Sequence, residues 1–276
     1  VNSNSNCNDS FEINIEVNPK PNPQFNINDS DQCLAGNLFE FSSNNSIDYG
    51  NYSIHWNFGD ASSDTQENSI HSYQRPDTFL VNLTLISNKS CIDSFSKNII
   101  VFPMPISDFS VNNDSQCLRN NLFEFQNSSN IPSGSLSFNW NFGDNILDTS
   151  SNPSHNYINF GNYSIQLIST SDQNCQDTLT KPIKVHPMPQ VDYLINDSNQ
   201  CVNNQSFEFT DLSSIPEATY NRVWDFGDNS NDTAQQNIHF YSLAGIYNAS
   251  LLIVSEFNCR DSQIFTIEVY PKPESK

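Results

Sequence analysis

Short runs of strict alternation recur along the chain. In "NLFEFSS", Phe39 and Phe41 fall on one face and Glu40 on the other, and "NLFEF" at Phe123 and "SFEFT" at Phe207 repeat the pattern. Alternation of this kind marks a half-buried strand. "SIHWNFGD" groups Ile54, Trp56 and Phe58, "FLVNLTLIS" aligns Phe79, Val81, Leu83 and Leu85, and a last strand carries Ile99 and Val101. No segment sustains a helical period. Strands at this density, broken by Asn, Gly, Asp and Pro clusters, predict an all-β chain built from two-sheet sandwiches.

The pattern is also periodic. "WNFGD" occupies Trp56–Asp60 and Trp140–Asp144, and "WDFGD" occupies Trp224–Asp228, so the step is 140 − 56 = 84 residues. The same step relates His71, His155 and His239, then Cys33, Cys117 and Cys201, then Cys7, Cys91, Cys175 and Cys259. A fixed period is the mark of a repeat protein. Each period is long enough for a small domain with its own core, since domains commonly hold about 100 residues. Proline pairs keep the step as well, at Pro19/Pro21, Pro103/Pro105, Pro187/Pro189 and Pro271/Pro273. Linkers this short and Pro-rich are extended and semi-rigid, although Pro can also simply end a strand.

Composition narrows the class. With 36% hydrophobic and 12% aromatic residues the chain can fill cores despite its many Asn and Ser, which argues against disorder. Eleven Lys and Arg against 31 Asp and Glu leave a net charge of −20. Nucleic-acid or anionic-membrane partners are therefore not expected, because phosphate recognition needs clustered cations. No apolar stretch approaches the roughly 18 residues that span a bilayer, so no membrane insertion of this segment is expected.

"WNFGD", followed by "HSYQRPDTFLVNLTLI", resembles the PKD domain (polycystic kidney disease domain), an immunoglobulin-like sandwich. "WNFGD…HNYINFGNYSIQLI" and "WDFGD…HFYSLAGIYNASLLI" carry the resemblance through the second and third units. It implies tandem immunoglobulin-like (PKD) β-sandwich domains arranged as an extended rod, with domains at 22–104, 105–188 and 189–273. Residues 274–276 would begin a further linker. Residues 1–21 would hold a linker and the last strand of a preceding truncated repeat, because "CNDSFEINIEV" from Cys7 to Val17 matches "CIDSFSKNIIV" from Cys91 to Val101. The chain would then be a window on a longer repeat protein. Unit one has "RPDTF" where the others have Gly161 or Gly245, so its corner before the long strand must form without glycine.

The resemblance also assigns the pentapeptide. It ends the third strand, so Trp56, Phe58, Trp140, Phe142, Trp224 and Phe226 enter cores, Gly59 takes a positive φ, and Asp60 accepts hydrogen bonds from turn amides. The rival reading is a calcium site on Asp60, Asp144 and Asp228, each of which has few acidic companions where calcium wants six to eight oxygens. Otherwise no metal or cofactor is expected. His71, His155 and His239 each stand two residues before a Tyr, as packed, hydrogen-bonded residues without zinc spacing. His55 and His186 have no counterparts in the other units. No GxSxG, HExxH, Walker loop or Cys/His pairing appears, and the carboxylates are scattered rather than paired. The chain is not expected to be an enzyme.

Seven cysteines without zinc spacing imply disulfides and an extracellular, cell-surface location. Pairing within units would join Cys33 to Cys91, Cys117 to Cys175 and Cys201 to Cys259, leaving Cys7 alone. In an immunoglobulin-like sandwich, however, Cys33 lies at the bottom of the domain and Cys91 at the top. Strands of seven to nine residues separate those ends by over 20 Å or so, and a disulfide needs Cα atoms within about 7 Å. The favoured scheme crosses between domains, Cys33 to Cys175 and Cys117 to Cys259, with Cys7, Cys91 and Cys201 served by units outside this segment. Both schemes remain open at this point.

"INDSDQCLAGNLFEF" and "LINDSNQCVNNQSFEF" further resemble repeats of giant surface adhesins and gliding-motility proteins of Bacteroidota exported by type IX secretion. That resemblance implies a stalk or filament segment spacing an adhesive end from the cell, whose partners are neighbouring repeats of the same chain, surface glycans or other cell-surface proteins. It also implies O-glycosylation at Thr178 and Thr233, in "DTL" and "DTA". The alternative is a glycan- or protein-binding module accessory to a secreted polysaccharide-degrading enzyme. Its best exposed candidates are Tyr49, Tyr52 and Tyr220, which do not recur at one position across the three units.

Overall fold

The computed structural model describes residues 10–273. The first repeat carries β1 (Phe25–Ile27), β2 (Asp31–Cys33), β3 (Phe39–Ser43), β4 (Tyr52–Asn57), β5 (Ser63–Asp64), β6 (Ser69–His71), β7 (Asp77–Ser87) and β8 (Ile92–Phe102). The second carries β9 (Phe109–Val111), β10 (Ser115–Cys117), β11 (Phe123–Asn127), β12 (Leu136–Asn141), β13 (Leu147–Asp148), β14 (Ser154–His155), β15 (Gly161–Ser171) and β16 (Gln176–His186). The third carries β17 (Tyr193–Ile195), β18 (Asn199–Cys201), β19 (Phe207–Asp211), β20 (Tyr220–Asp225), β21 (Asn231–Asp232), β22 (Gln236–His239), β23 (Gly245–Ser255) and β24 (Arg260–Tyr270). The chain is all β, three immunoglobulin-like sandwiches in tandem.

Each sandwich has one three-stranded and one five-stranded sheet, ordered β1-β3-β6 and β2-β8-β7-β4-β5 in the first repeat. The other two repeats reproduce these orders as β9-β11-β14 with β10-β16-β15-β12-β13, and β17-β19-β22 with β18-β24-β23-β20-β21. The short strand bearing the first cysteine of each repeat pairs parallel with the last strand, so that Cys33 stands opposite Phe102, Cys117 opposite His186 and Cys201 opposite Tyr270.

Alternation puts the apolar set of both sheets into one core per repeat. The three cores are separate clusters centred on Trp56, Trp140 and Trp224, each tryptophan 0% exposed. A buried indole must also place its N–H. Trp56 Nε1 donates to the carbonyl of Gln66 at 2.9 Å, Trp140 to Ser150 at 3.0 Å and Trp224 to Ala234 at 3.1 Å.

By internal contacts the chain divides into two compact units. The first contains the first sandwich together with Ile131–Leu136 and Thr170–Asp177; the second contains Ser107–Asn130, Ser137–Ser169 and the chain from Thr178 onward.

Of three expectations the structure bears on, the strand length needs correction. Residues 10–17 form no strand, and Phe11, Ile13, Ile15 and Val17 are all exposed; a lone strand has no ladder to satisfy its backbone groups. Cys7 lies outside the described residues. The paired long strands run 11 residues each rather than seven to nine. The glycine-free corner of the first repeat is unremarkable in its backbone: β7, β15 and β23 begin at the matching positions Asp77, Gly161 and Gly245, and Gly245 does not take a positive φ. A Cβ at Gly245 would meet only the Tyr247 ring, at 3.7 Å, so Asp serves as well.

Candidate functional site

The recurring pentapeptide builds a corner. Trp56 and Phe58 point into the core, and Asn57 Oδ1 between them accepts the Gly59 N–H at 2.9 Å. Gly59 has φ +82°, and a Cβ there would stand 2.9 Å from the Leu80 carbonyl oxygen on β7. Gly143 and Gly227 repeat the conformation against Ser164 and Asn248. Only glycine combines that φ with that approach.

Asp60 closes the corner. Its Oδ1 accepts the Ser62 N–H at 3.0 Å, and its Oδ2 meets His71 Nε2 at 2.7 Å. Asp144 with His155 (2.7 Å) and Asp228 with His239 (2.8 Å) repeat the pair. Each imidazole lies flat on the Phe of the pentapeptide, with centroids 4.4, 4.3 and 4.2 Å apart, and edge-on to the following Tyr. Burial raises the Asp60 carboxyl, but the hydrogen bonds from Ser62 and His71 outweigh it and leave the pKa below the usual carboxylate value. Asp228 behaves alike through Ser230 and His239. Tyr73 donates its hydroxyl to the Phe58 carbonyl at 2.8 Å, and burial, then the charge of Asp60, push its pKa up. The Asp–His pairing escapes a reading that takes the two residues separately, although their shared 84-residue step signals it.

In the first repeat Ser62 Oγ also lies 3.1 Å from His71 Nε2, so a hydroxyl, an imidazole and a carboxylate meet. The arrangement is not a nucleophilic relay. One ring nitrogen serves both partners, whereas a relay needs the acid on one nitrogen and the nucleophile on the other. The second repeat moreover has Ile146 where the first has Ser62, with the Asp–His pair unchanged. The cluster stiffens a turn. Among the described residues no three His, Cys, Asp or Glu side chains group as a metal site.

The sulfurs join successive repeats. Cys33 is bonded to Cys175 and Cys117 to Cys259, with Cα separations of 5.6 and 5.5 Å. Cys91 and Cys201 are free thiols, so none of the within-repeat pairs Cys33–Cys91, Cys117–Cys175 and Cys201–Cys259 is present. The reason lies in β8. Cys33 stands at its end, opposite Phe102, and Cys91 immediately precedes its start at Ile92. An 11-residue strand holds those positions roughly 30 Å apart at about 3.3 Å per residue. Next to the second disulfide, Arg119 Nη1 contacts Asp261 Oδ1 at 3.0 Å. His186 lies on the Phe257 ring with centroids 3.8 Å apart, and burial, then the nearby Lys184, hold its pKa below the ordinary histidine value against an opposing pull from Glu256.

The tyrosines divide. Tyr49 is 53% exposed, but Tyr52 and Tyr220 pack against their cores as the first residues of β4 and β20. They occupy one register position, which Leu136 fills in the second repeat. Of these three tyrosines only Tyr49 is exposed. Thr178 is exposed on β16, and Thr233 is exposed just after β21.

The PKD domain family model matches residues 19–101, 104–187 and 186–269. The PKD1 domain of Vibrio anguillarum Epp is 26% identical over 30% of this chain and 93% of its own, with a TM-score of 0.27. The PKD1 domain of the Vibrio cholerae metalloprotease PrtV is 29% identical over 30% and 96%, with a TM-score of 0.27. The N-terminal eight immunoglobulin domains of Down Syndrome Cell Adhesion Molecule are 10% identical over 90% of this chain and 36% of that one, with a TM-score of 0.58, a likeness of fold.

Proposed function

The chain belongs to the PKD domain family, and from that premise we propose that its three sandwiches are a structural segment of a long extracellular adhesin, spacing and mechanically supporting an adhesive end. PKD and immunoglobulin-like domains are typically non-catalytic, and the three tryptophans are wholly inside, where they cannot serve as a binding platform. The observation that carries the reading is the sulfur pattern: each of two consecutive repeats is covalently tied to the next, Cys33 to Cys175 and Cys117 to Cys259. Such ties keep successive repeats covalently joined when the chain is pulled. Disulfides persist in oxidising surroundings, in keeping with the cell surface. The finer assignment is a Bacteroidota surface protein exported by type IX secretion and engaged in gliding. Immunogold electron microscopy of the native cell surface tests it: label along a thin fibre is expected, and label confined to a released enzyme fraction contradicts it.

A further inference from the structure

Each sandwich meets its incoming linker at a corresponding place, and the chain fills that place with an aromatic ring in two repeats of three. In the first repeat the space beside Pro19, Gly50 and Lys89 shrinks to about 50 Å³, with Tyr49 drawn across it by a hydrogen bond from its hydroxyl to the Val17 carbonyl at 2.8 Å. In the third repeat Phe257 stands where the first has Lys89. Its ring lies on His186 with centroids 3.8 Å apart, and Lys184 Nζ is 5.1 Å from its centroid. The second repeat has neither ring, since Ser133 replaces Tyr49 and Gln173 replaces Phe257. What remains is a notch of about 220 Å³ between Phe102, Pro103, Ser133, Gly134 and Gln173, all within the first compact unit. Phe102 is the counterpart of His186, yet it is only half-buried, whereas His186 is 4% exposed beneath its ring.

The rim is acidic. Gly134 takes φ +97° and has no Cβ, which leaves room for the exposed Asp172 carboxylate, whose Oδ1 would stand 2.6 Å from a Cβ there. Asp172 lines the notch and no Lys or Arg does. Past Phe102, Pro103 and Ser133 the notch runs into a groove of about 380 Å³ walled by Pro76, Ile100 and Pro132. Asp77 at that groove is already paired with Arg75, so Asp172 is the charge left to an incoming group. An apolar floor with one charged group at its edge is the usual make-up of a recognition site.

We propose that the second repeat binds an aromatic side chain of a partner protein here, a tyrosine or phenylalanine flanked by lysine or arginine. The ring packs on Phe102 as Phe257 packs on His186, the flanking cation meets Asp172, and the adjoining backbone follows the groove over Ile100 and Pro132. The net charge of −20 favours approach of a cationic segment over an acidic one. The proposal holds whether or not the chain serves as a stalk.

The test titrates the full, oxidised, isotope-labelled chain with capped pentapeptides and follows it by heteronuclear NMR. The probes are Gly-Lys-Tyr-Lys-Gly, the same peptide with Leu for Tyr, and the same peptide with Glu for both Lys. The first is expected to shift the Gly134 amide and the Gln173 side-chain amide saturably, and the other two to bind at least tenfold more weakly. Gln173→Phe, which copies Phe257, and Ser133→Tyr, which copies Tyr49, each fill the notch from within and lower the affinity at least tenfold. Both residues are exposed, so these variants keep the melting temperature. Asp172→Asn weakens the lysine peptide at least threefold and leaves the leucine peptide unchanged. Equal binding of the leucine peptide, undiminished binding to Gln173→Phe, or no shift at all overturns the proposal. So does a response to cellobiose in place of the peptide, or shifts of the same signals with protein concentration alone, which would make a second copy the occupant.

Discussion

At the scale of single residues, one glycine and one acid carry the corner. Gly59→Ala forces a Cβ to 2.9 Å from a backbone carbonyl at a positive φ, and the expected loss is about 2 kcal/mol or more, read from urea unfolding. The carboxylates give a pH signature. Asp60 and Asp228 have lowered folded pKa values, so their stabilisation is complete above the unfolded carboxylate pKa of about 4 and is lost as pH falls through the folded values. His186 is also lowered; the unfolded chain takes up its proton first, so stability declines as pH falls below about 6.5. His186→Phe, which copies Phe102 of the first repeat, removes the decline near neutrality and leaves the acid one, a difference visible in melting temperature against pH. Both oxygens of Asp60 are already engaged by protein donors, so a chelator is expected to leave the melting temperature unchanged; a drop reinstates calcium.

At the scale of elements, what could be read from the sequence was whatever alternation and periodicity expose. Phe39, Phe41, Trp56, Phe58 and the Phe79–Leu85 row are all buried, as their spacing required. What stayed hidden is polar and long-range. Asn37 is buried and clamps Tyr73 through both N–H···O directions, at 2.9 and 2.7 Å, and Asn121 and Gln205 do the same for Tyr157 and Tyr241. An Asn in a polar-rich sequence carries no mark of such a partner 36 residues away. Lys97 and Lys181 likewise hide their role: each lays its stem into the sandwich and its ammonium over Phe25 or Phe109, where the third repeat uses Phe265 against Trp224. Lys181→Phe together with Phe109→Tyr transplants the third repeat's solution and is expected to change stability by less than about 1.5 kcal/mol. The parallel β2–β8 pairing is three residues long and too short for any periodic signal. Residues 10–17 alternate perfectly yet pair with no strand among the described residues.

At the scale of the whole molecule, covalent connectivity outweighs composition. The two disulfides are interlocked in sequence: the path Cys33–Cys175–Cys117–Cys259 contains only 175 − 117 = 58 residues of backbone, against 259 − 33 = 226 for the same span without them. At about 3.6 Å per extended residue, the bonds shorten the reach of a fully unfolded chain severalfold over that span. The decisive measurement is single-molecule pulling from both termini, with and without reductant. Oxidised molecules are expected to stop at the short contour and reduced ones to extend by several hundred ångströms more; equal contour lengths in both conditions contradict the claim that successive repeats are covalently bolted together.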